Sequence, residues 1–368
     1  MAAETTYNDS APQKPRGGSR IALWDNARFL LIVLVVIGHL IGTARDDGAA
    51  VYGVYAGIYL FHMPAMILLS GVFAKPEVTT KAVISTAQLL ATWLVWEGIW
   101  FVLNLFGDGE GPGQGLLISQ AWTLWFLVSL ATMRIIFPYI ARLRYPLTTS
   151  VVIALLAGVS PTIGAEFSAS RTLCLLPFFV LGWQLRERGW SEQPWLARPT
   201  MRVRAMAWAG IAAVVVAFFA LPDLRNQWDV RAWTLWKDHY GELFANAAPF
   251  GFVPEDLGTM IASGMVIRLA LLMIAAGLTL ALLIVTPRGT SRMTAWGAQT
   301  LTVYLLHAPV VWALRKFGVV DALGEWGIWG LAILVAISVV IAIVFSTRTI
   351  ARLFRPLTTP RIDWLFTR

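Results

Sequence analysis

The stretch DNARFLLIVLVVIGHL occupies residues 25–40. Its middle, Phe29 to Ile37, is an unbroken run of Phe, Leu, Ile and Val. Such a run reads as a membrane-spanning helix, since about 20 apolar residues in helical geometry cross the hydrocarbon of a bilayer. Yet Arg28 opens the run and His39 closes it. At ~100° and ~1.5 Å per residue, the two lie within about 20° of one another and about 16 Å apart along the axis. One stripe of the helix therefore carries a guanidinium near one membrane surface and an imidazole well inside. Ionisable groups in hydrocarbon cost about 2.5–3.5 kcal/mol on insertion scales, so they face the bundle interior and mark function. Asp25 precedes Arg28 by one turn and can pair with it.

The rest of the chain follows the same pattern. Of its 368 residues 57% are hydrophobic and only 14% charged, too few charges for a soluble domain. Apolar runs predict an all-α, polytopic membrane protein of about ten transmembrane helices, near 22–43, 51–73, 82–106, 116–139, 147–164, 171–186, 202–221, 261–285, 298–314 and 327–347. The breaks between them carry turn or charge signals such as TARDDGAA and GDGEGPGQG. With the N-terminus inside, the inner segments hold most of the Lys and Arg, from Lys14 to Arg368. The outer ones hold few, among them Arg45, Arg171, Arg225, Arg231, Arg315 and Lys316. Both termini are then cytoplasmic and the chain is a multi-pass protein of the plasma membrane. Residues 1–20 read as a disordered basic cytoplasmic tail, 21–347 as the transmembrane domain, and 348–368 as a second basic tail. Residues 222–260 form a long outer loop rich in aromatics and charges. It reads either as an interfacial helix or as a lid for an amphiphilic substrate.

The net charge of +8 is spread between apolar runs, which argues against a nucleic-acid partner. A single cysteine, Cys174, excludes an internal disulfide. Four scattered histidines without metal-ligand spacing suggest no metal site.

A neutral His39 can take a proton from a hydroxyl nucleophile. Arg28 suits phosphate, which a guanidinium grips with a planar fork of donors. A donor with phosphates at one end and a reactive group on a long arm matches that spacing, and coenzyme A thioesters have this shape. His62 lies mid-span before Pro64, where it can shape a site or make a structural hydrogen bond. Glu97 in TWLVWEGIW is a buried carboxylate suited to orienting an imidazole or pairing with an arginine. Arg171 is placed to hold an acceptor hydroxyl or the thioester carbonyl. Trp125 reads as packing, with sugar stacking as the alternative. His307 in YLLHAP reads as a structural histidine, and His239 as a solvated one.

WDNARFLLIVLVVIGHL resembles the first helix of the integral-membrane acyltransferase-3 family, in which an Arg or Lys is followed after ten residues by a His. YLFHMPAMILLSG (59–71), AWTLWFLVSL (121–130), SRTLCLLPFFVLGW (170–183) and TVYLLHAPVV (302–311) look like its fucose 4-O-acetylase-like branch. The resemblance covers about 22–347. It implies a ten-helix O-acyltransferase that moves an acyl group, most often acetyl, from acyl-CoA to a hydroxyl of an envelope sugar or lipid. It further implies His39 as catalytic base and Arg28 as its partner or donor-binding group, with acetyl-CoA as a substrate and no bound cofactor. Many relatives carry an R-x-x-R pair after the second span; here that region is GVFAKPEVTTKA, leaving Lys75 and Lys81 as the donor-side cations. Ala-, Arg- and Trp-rich usage resembles high-GC actinobacteria. Together with the aromatic outer loop, it makes trehalose monomycolate the specific acceptor expected, with a cell-wall polysaccharide as competitor. Rival readings are a sugar or lipid transporter of the envelope and a non-catalytic assembly partner.

Overall fold

The computed structural model describes residues 22–105 and 117–366. The expected N-terminal tail and the GDGEGPGQG turn lie outside these. The described residues are helical, without a β-strand. The main helices are α1 (Ala22–Leu40), α2 (Ala49–Tyr59), α3 (His62–Val72), α4 (Thr80–Leu105), α5 (Trp125–Ile140), α6 (Pro146–Leu156), α7 (Ala169–Glu187), α8 (Met201–Ala220), α9 (Leu257–Val285), α10 (Arg292–Gly297), α11 (Thr300–Lys316) and α12 (Gly327–Phe345).

Among the described residues six segments are long and apolar enough to cross a membrane: α1, the α2–α3 pair taken together (Ala49–Val72), α4, α8, α9 and α12. The outward faces of α8 and α12 expose large apolar side chains such as Met206, Trp208, Val216, Trp329 and Val340. Water would not tolerate so continuous an apolar surface, whereas lipid tails do.

Three expected spans come out differently. The segment expected as 51–73 breaks at Leu60 and Phe61, where Phe61 leaves helical geometry (φ −141°, ψ −15°) and His62 opens α3. Pro64 in the first turn of α3 has no N–H to bond back across that break. The span expected from 116 begins only at Trp125, because residues 117–124 are unwound. The span expected at 147–164 is a helix of 11 residues, about 16 Å long and too short to cross alone.

Close backbone contacts hold α3 to α7. A Cβ on Gly71 would collide with the carbonyl of Phe179, and one on Gly182 with the carbonyl of Leu68. Two glycines thus let the helices approach more closely than any side chain would allow, the usual way helices associate in lipid. The start of α1 is tied to the segment ahead of α11. Asn26 donates to the carbonyls of Pro287 (2.8 Å) and Gly289 (3.0 Å) and accepts from Thr294 (2.7 Å).

Residues 222–260 form neither a single interfacial helix nor a free loop. Of three short helices, Pro222–Asn226 packs on α8, Val230–Thr234 on α2 and Tyr240–Ala247 on α9. Trp233, Trp236 and Tyr240 are buried. Tyr240 donates to the Leu155 carbonyl at 2.7 Å, and Ser170 donates to that of Trp236 at 3.0 Å. Arg268, an intramembrane arginine of α9 that is fully buried, stacks on Tyr240 and donates to the carbonyls of Asp238 (3.0 Å) and Ala154. Its charge is satisfied by backbone, and it fastens this cap. The C-terminal basic segment is also folded: Gln88, Thr92 and Trp96 of α4 donate to the carbonyls of Pro360, Thr358 and Leu357.

Candidate active site

His39 sits in the last turn of α1 and meets the middle of α11. Its ring lies 5.2 Å from that of His307, with Nδ1 3.5 Å from His307 Nε2. His307 Nδ1 is 3.0 Å from the carbonyl of Val303. A carbonyl oxygen only accepts, so His307 Nδ1 carries the proton and its Nε2 keeps a lone pair. In the neutral pair His39 Nδ1–H then donates to His307, and His39 Nε2 is left as a bare base. The same logic applies to His62, whose Nδ1 donates to the Ile58 carbonyl at 2.8 Å across the α2–α3 break. His307 and His62 are only 0% and 2% exposed, while His39 keeps accessible surface. No hydrogen bond of His62 Nε2 is seen among the described residues either, but of the three rings His39 alone keeps surface that an incoming molecule can reach.

Two residues fix the His39 ring from outside α1. Trp122 stacks on it at 5.2 Å and 22°. Arg315, at the end of α11, donates to the His39 carbonyl and lies 5.1 Å from the Trp122 ring. A cation on the last carbonyls of a helix is favourable in its own right. Trp122 has a left-handed backbone (φ +27°), a conformation that costs about 1–3 kcal/mol unless its surroundings impose it. Glu97 supplies that constraint. Its Oε1 accepts from the backbone N–H of Ala121 (2.9 Å) and from Trp93 Nε1 (2.8 Å). The sequence suggested an imidazole or an arginine as partner of Glu97. The structure gives it a backbone amide and an indole, so it bears on His39 through Trp122.

Arg28 lies at the other end of α1. It pairs with the buried Asp25 at 3.3 Å, and its guanidinium lies 4.3 Å from the Phe73 ring. It opens a cavity of about 240 Å³ whose lining includes Ser70, Phe126, Gly297, Thr300 and Tyr304. Tyr304, which donates to the Thr123 carbonyl, lies 6.1 Å ring to ring from His307. The cavity therefore runs from Arg28 towards the imidazole pair. Lys75 is exposed just beyond α3, two residues from Phe73, and is not among the residues that line the cavity. Arg171 lies 4.9 Å over the Trp125 ring and donates to the Leu235 carbonyl at 3.2 Å, joining the cap to α5.

On α2 the rings of Tyr55 and Tyr59 stack at 4.1 Å, and Tyr59 meets His62 edge-on at 4.9 Å. Arg231 of the cap donates to the Tyr55 hydroxyl at 2.9 Å. Thus His39 and His62 come together as expected residues. His307, Trp122, Arg315 and Tyr59 join them without having been singled out as site residues. One signal was available: Tyr52, Tyr55, Tyr59 and His62 recur at helical spacing on one stripe. Among the described residues no group of His, Cys, Asp or Glu could hold a metal ion.

The fold and these groups define a helical membrane protein with a pair of imidazoles at the meeting point of its first and late helices. A family model, the acyltransferase domain of the acyltransferase-3 family, matches residues 21–347. The chain belongs to that family and is a membrane acyltransferase. Searches of curated proteins and of solved structures gave no match.

Proposed function

We propose that the protein is a plasma-membrane O-acyltransferase that moves an acyl group, acetyl in the first instance, from acyl-CoA to a hydroxyl of an envelope glycolipid or saccharide. The observation that carries this reading is the tautomer chain Val303–His307–His39, which leaves His39 Nε2 as an accessible base. In this reading Arg28 holds donor phosphates at the cytoplasmic mouth of its cavity, and the thioester reaches towards His39. The acceptor arrives from the side of the 222–260 cap. Ten membrane crossings with both termini cytoplasmic are part of the proposal, as is kinship with the fucose 4-O-acetylase-like branch.

His39 Nε2 removes the acceptor hydroxyl proton while the oxygen attacks the thioester carbonyl. The C–S bond then breaks, and His39 returns the proton to the departing CoA sulfur. During the step His39 is an imidazolium, and its Nδ1–H bond to His307 strengthens because a charged donor makes the stronger bond. Arg315 is the donor best placed for the oxyanion: its Nε is buried without a hydrogen-bond partner among the described residues. Arg171, tied to Leu235 and Trp125, fits a role in holding the acceptor beneath the cap. Trehalose monomycolate is the acceptor we would test first.

The test is to purify the protein in detergent and add acetyl-CoA with an envelope glycolipid extract. Mass spectrometry then looks for products heavier by one acetyl group, with His39→Ala in parallel. An acetylated product that disappears in the variant supports the reading and identifies the acceptor. Full activity in His39→Ala would sink it, and absence of both product and acetyl-CoA binding would shift the reading to a transporter.

A further inference from the structure

A second cavity, of about 310 Å³, opens at the start of α2 between that helix and the first short helix of the cap. Arg45, Asp46, Tyr52, Arg225 and Asn226 line it. The chemistry above uses none of them. Arg45 holds Asp46 at 3.1 Å and the Gly42 carbonyl at 2.7 Å, while Arg225 Nε holds Asn226 Oδ1 at 3.2 Å. A guanidinium has five N–H donors, so both arginines keep donors for a ligand. Tyr52 is only 7% exposed, and its hydroxyl has no hydrogen-bond partner among the described residues. A buried hydroxyl left in that state is a standing penalty that a ligand hydroxyl would remove.

The lining selects the ligand class. Asp46 disfavours a simple anion, and the near absence of apolar side chains disfavours an acyl chain. Donors and acceptors alternate around the cavity, which suits a polyhydroxylated ring. Its position says more. Tyr52 begins the stripe that runs through Tyr55 to Tyr59, which packs on His62. Seven residues of helix separate Tyr52 from Tyr59, a rise of about 10 Å. That rise is longer than one pyranose ring and is spanned by two linked ones.

We propose that this cavity holds the non-reacting sugar of an acceptor built from at least two linked sugar units, whose other unit reaches the His39 site. The proposal rests on the acyltransferase reading for the fate of that other unit, but the binding it describes needs no donor.

The full chain in detergent is titrated calorimetrically with glucose and with the disaccharides trehalose, maltose and cellobiose, without acyl-CoA. Wild type, Tyr52→Phe and Arg225→Ala are compared, and acetyl transfer from labelled acetyl-CoA is followed in parallel. The expected result is that at least one disaccharide binds more tightly than glucose. Each variant loses about tenfold in affinity for it, as expected for one hydrogen bond to a partly buried group. Tyr52→Phe keeps the ring, so its packing on Phe218 survives. Equal disaccharide affinity in all three proteins overturns the subsite, even if His39-dependent acetylation is intact. No disaccharide binding better than glucose overturns it too. Disaccharide binding that depends on Tyr52, with no acyl transfer from any acyl-CoA, upholds the subsite and sinks the transferase reading instead.

Discussion

His307→Phe isolates the role of the second imidazole. Phenylalanine fills much the same volume and removes both ring nitrogens. In the ground state the loss is small, because a neutral contact of 3.5 Å is at the outer limit of a hydrogen bond. In the transition state His39 is charged, and a hydrogen bond from a charged group contributes about 1.5–3 kcal/mol. At about 1.4 kcal/mol per decade, kcat should fall between about tenfold and 150-fold. KM for acetyl-CoA should stay put, since no donor contact is touched. Removing His39 should cost more, because it deletes the base itself, about 10²–10⁴-fold. The assay is acetyl transfer at saturating donor, with acetyl-CoA binding measured by tryptophan fluorescence on the same preparations. Wild-type kcat in His307→Phe would refute the tautomer argument. A loss that also abolishes acetyl-CoA binding would show that His307 acts through the fold and not through His39.

Other consequences are equally direct. Arg28→Ala should raise KM for acetyl-CoA about tenfold or more with little change in kcat, because it removes uniform binding of the donor; steady-state kinetics with varied acetyl-CoA decide it. Glu97→Leu strands the Ala121 N–H and the Trp93 indole, each a buried group costing about 1–3 kcal/mol when unpaired. Its thermal midpoint in detergent should fall, and its kcat should fall with the displaced Trp122. Glu97→Gln keeps one acceptor oxygen and should recover most of both losses. Gly71→Ala or Gly182→Ala forces α3 and α7 apart, an overpacking of about 1–3 kcal/mol. The double variant should fall short of the sum, since one separation relieves both contacts.

The long apolar runs and the Arg28–His39 stripe were legible because hydropathy and helical period are local properties. What escaped was set by long-range geometry. His307 read as a packing histidine, since nothing in YLLHAP reveals that its Nε2 faces a residue 268 positions earlier. Arg315 counted only as an outer charge, yet it closes on the His39 carbonyl. The unwound segment at 117–124 is driven by Glu97, a residue of the preceding helix. No periodicity inside AWTLW reports that. Pro64 did mark the weak point of its span, because a missing N–H is written in the residue itself. The cap at 222–260 showed its aromatics in sequence but not its anchor, for Arg268 reads as an isolated charge in an apolar run until Tyr240 and the backbone of Asp238 are placed around it.

The pinning of α1 at both ends also sets an order of assembly. Asn26 waits for Pro287, Gly289 and Thr294, and His39 waits for His307 and Arg315. α1 packs early on α2 and α3, but the residues that hold its two ends are made much later. Until α11 is made its imidazole sits in lipid, or in the insertion machinery, without His307 and Arg315, whereas Arg28 has Asp25 beside it from the start. A chain that stops short of His307 has every residue of the Arg28–His39 stripe and no imidazole pair. On the proposed mechanism activity is thus withheld until α11 is made, and a product truncated ahead of it is inert without any separate inhibitor.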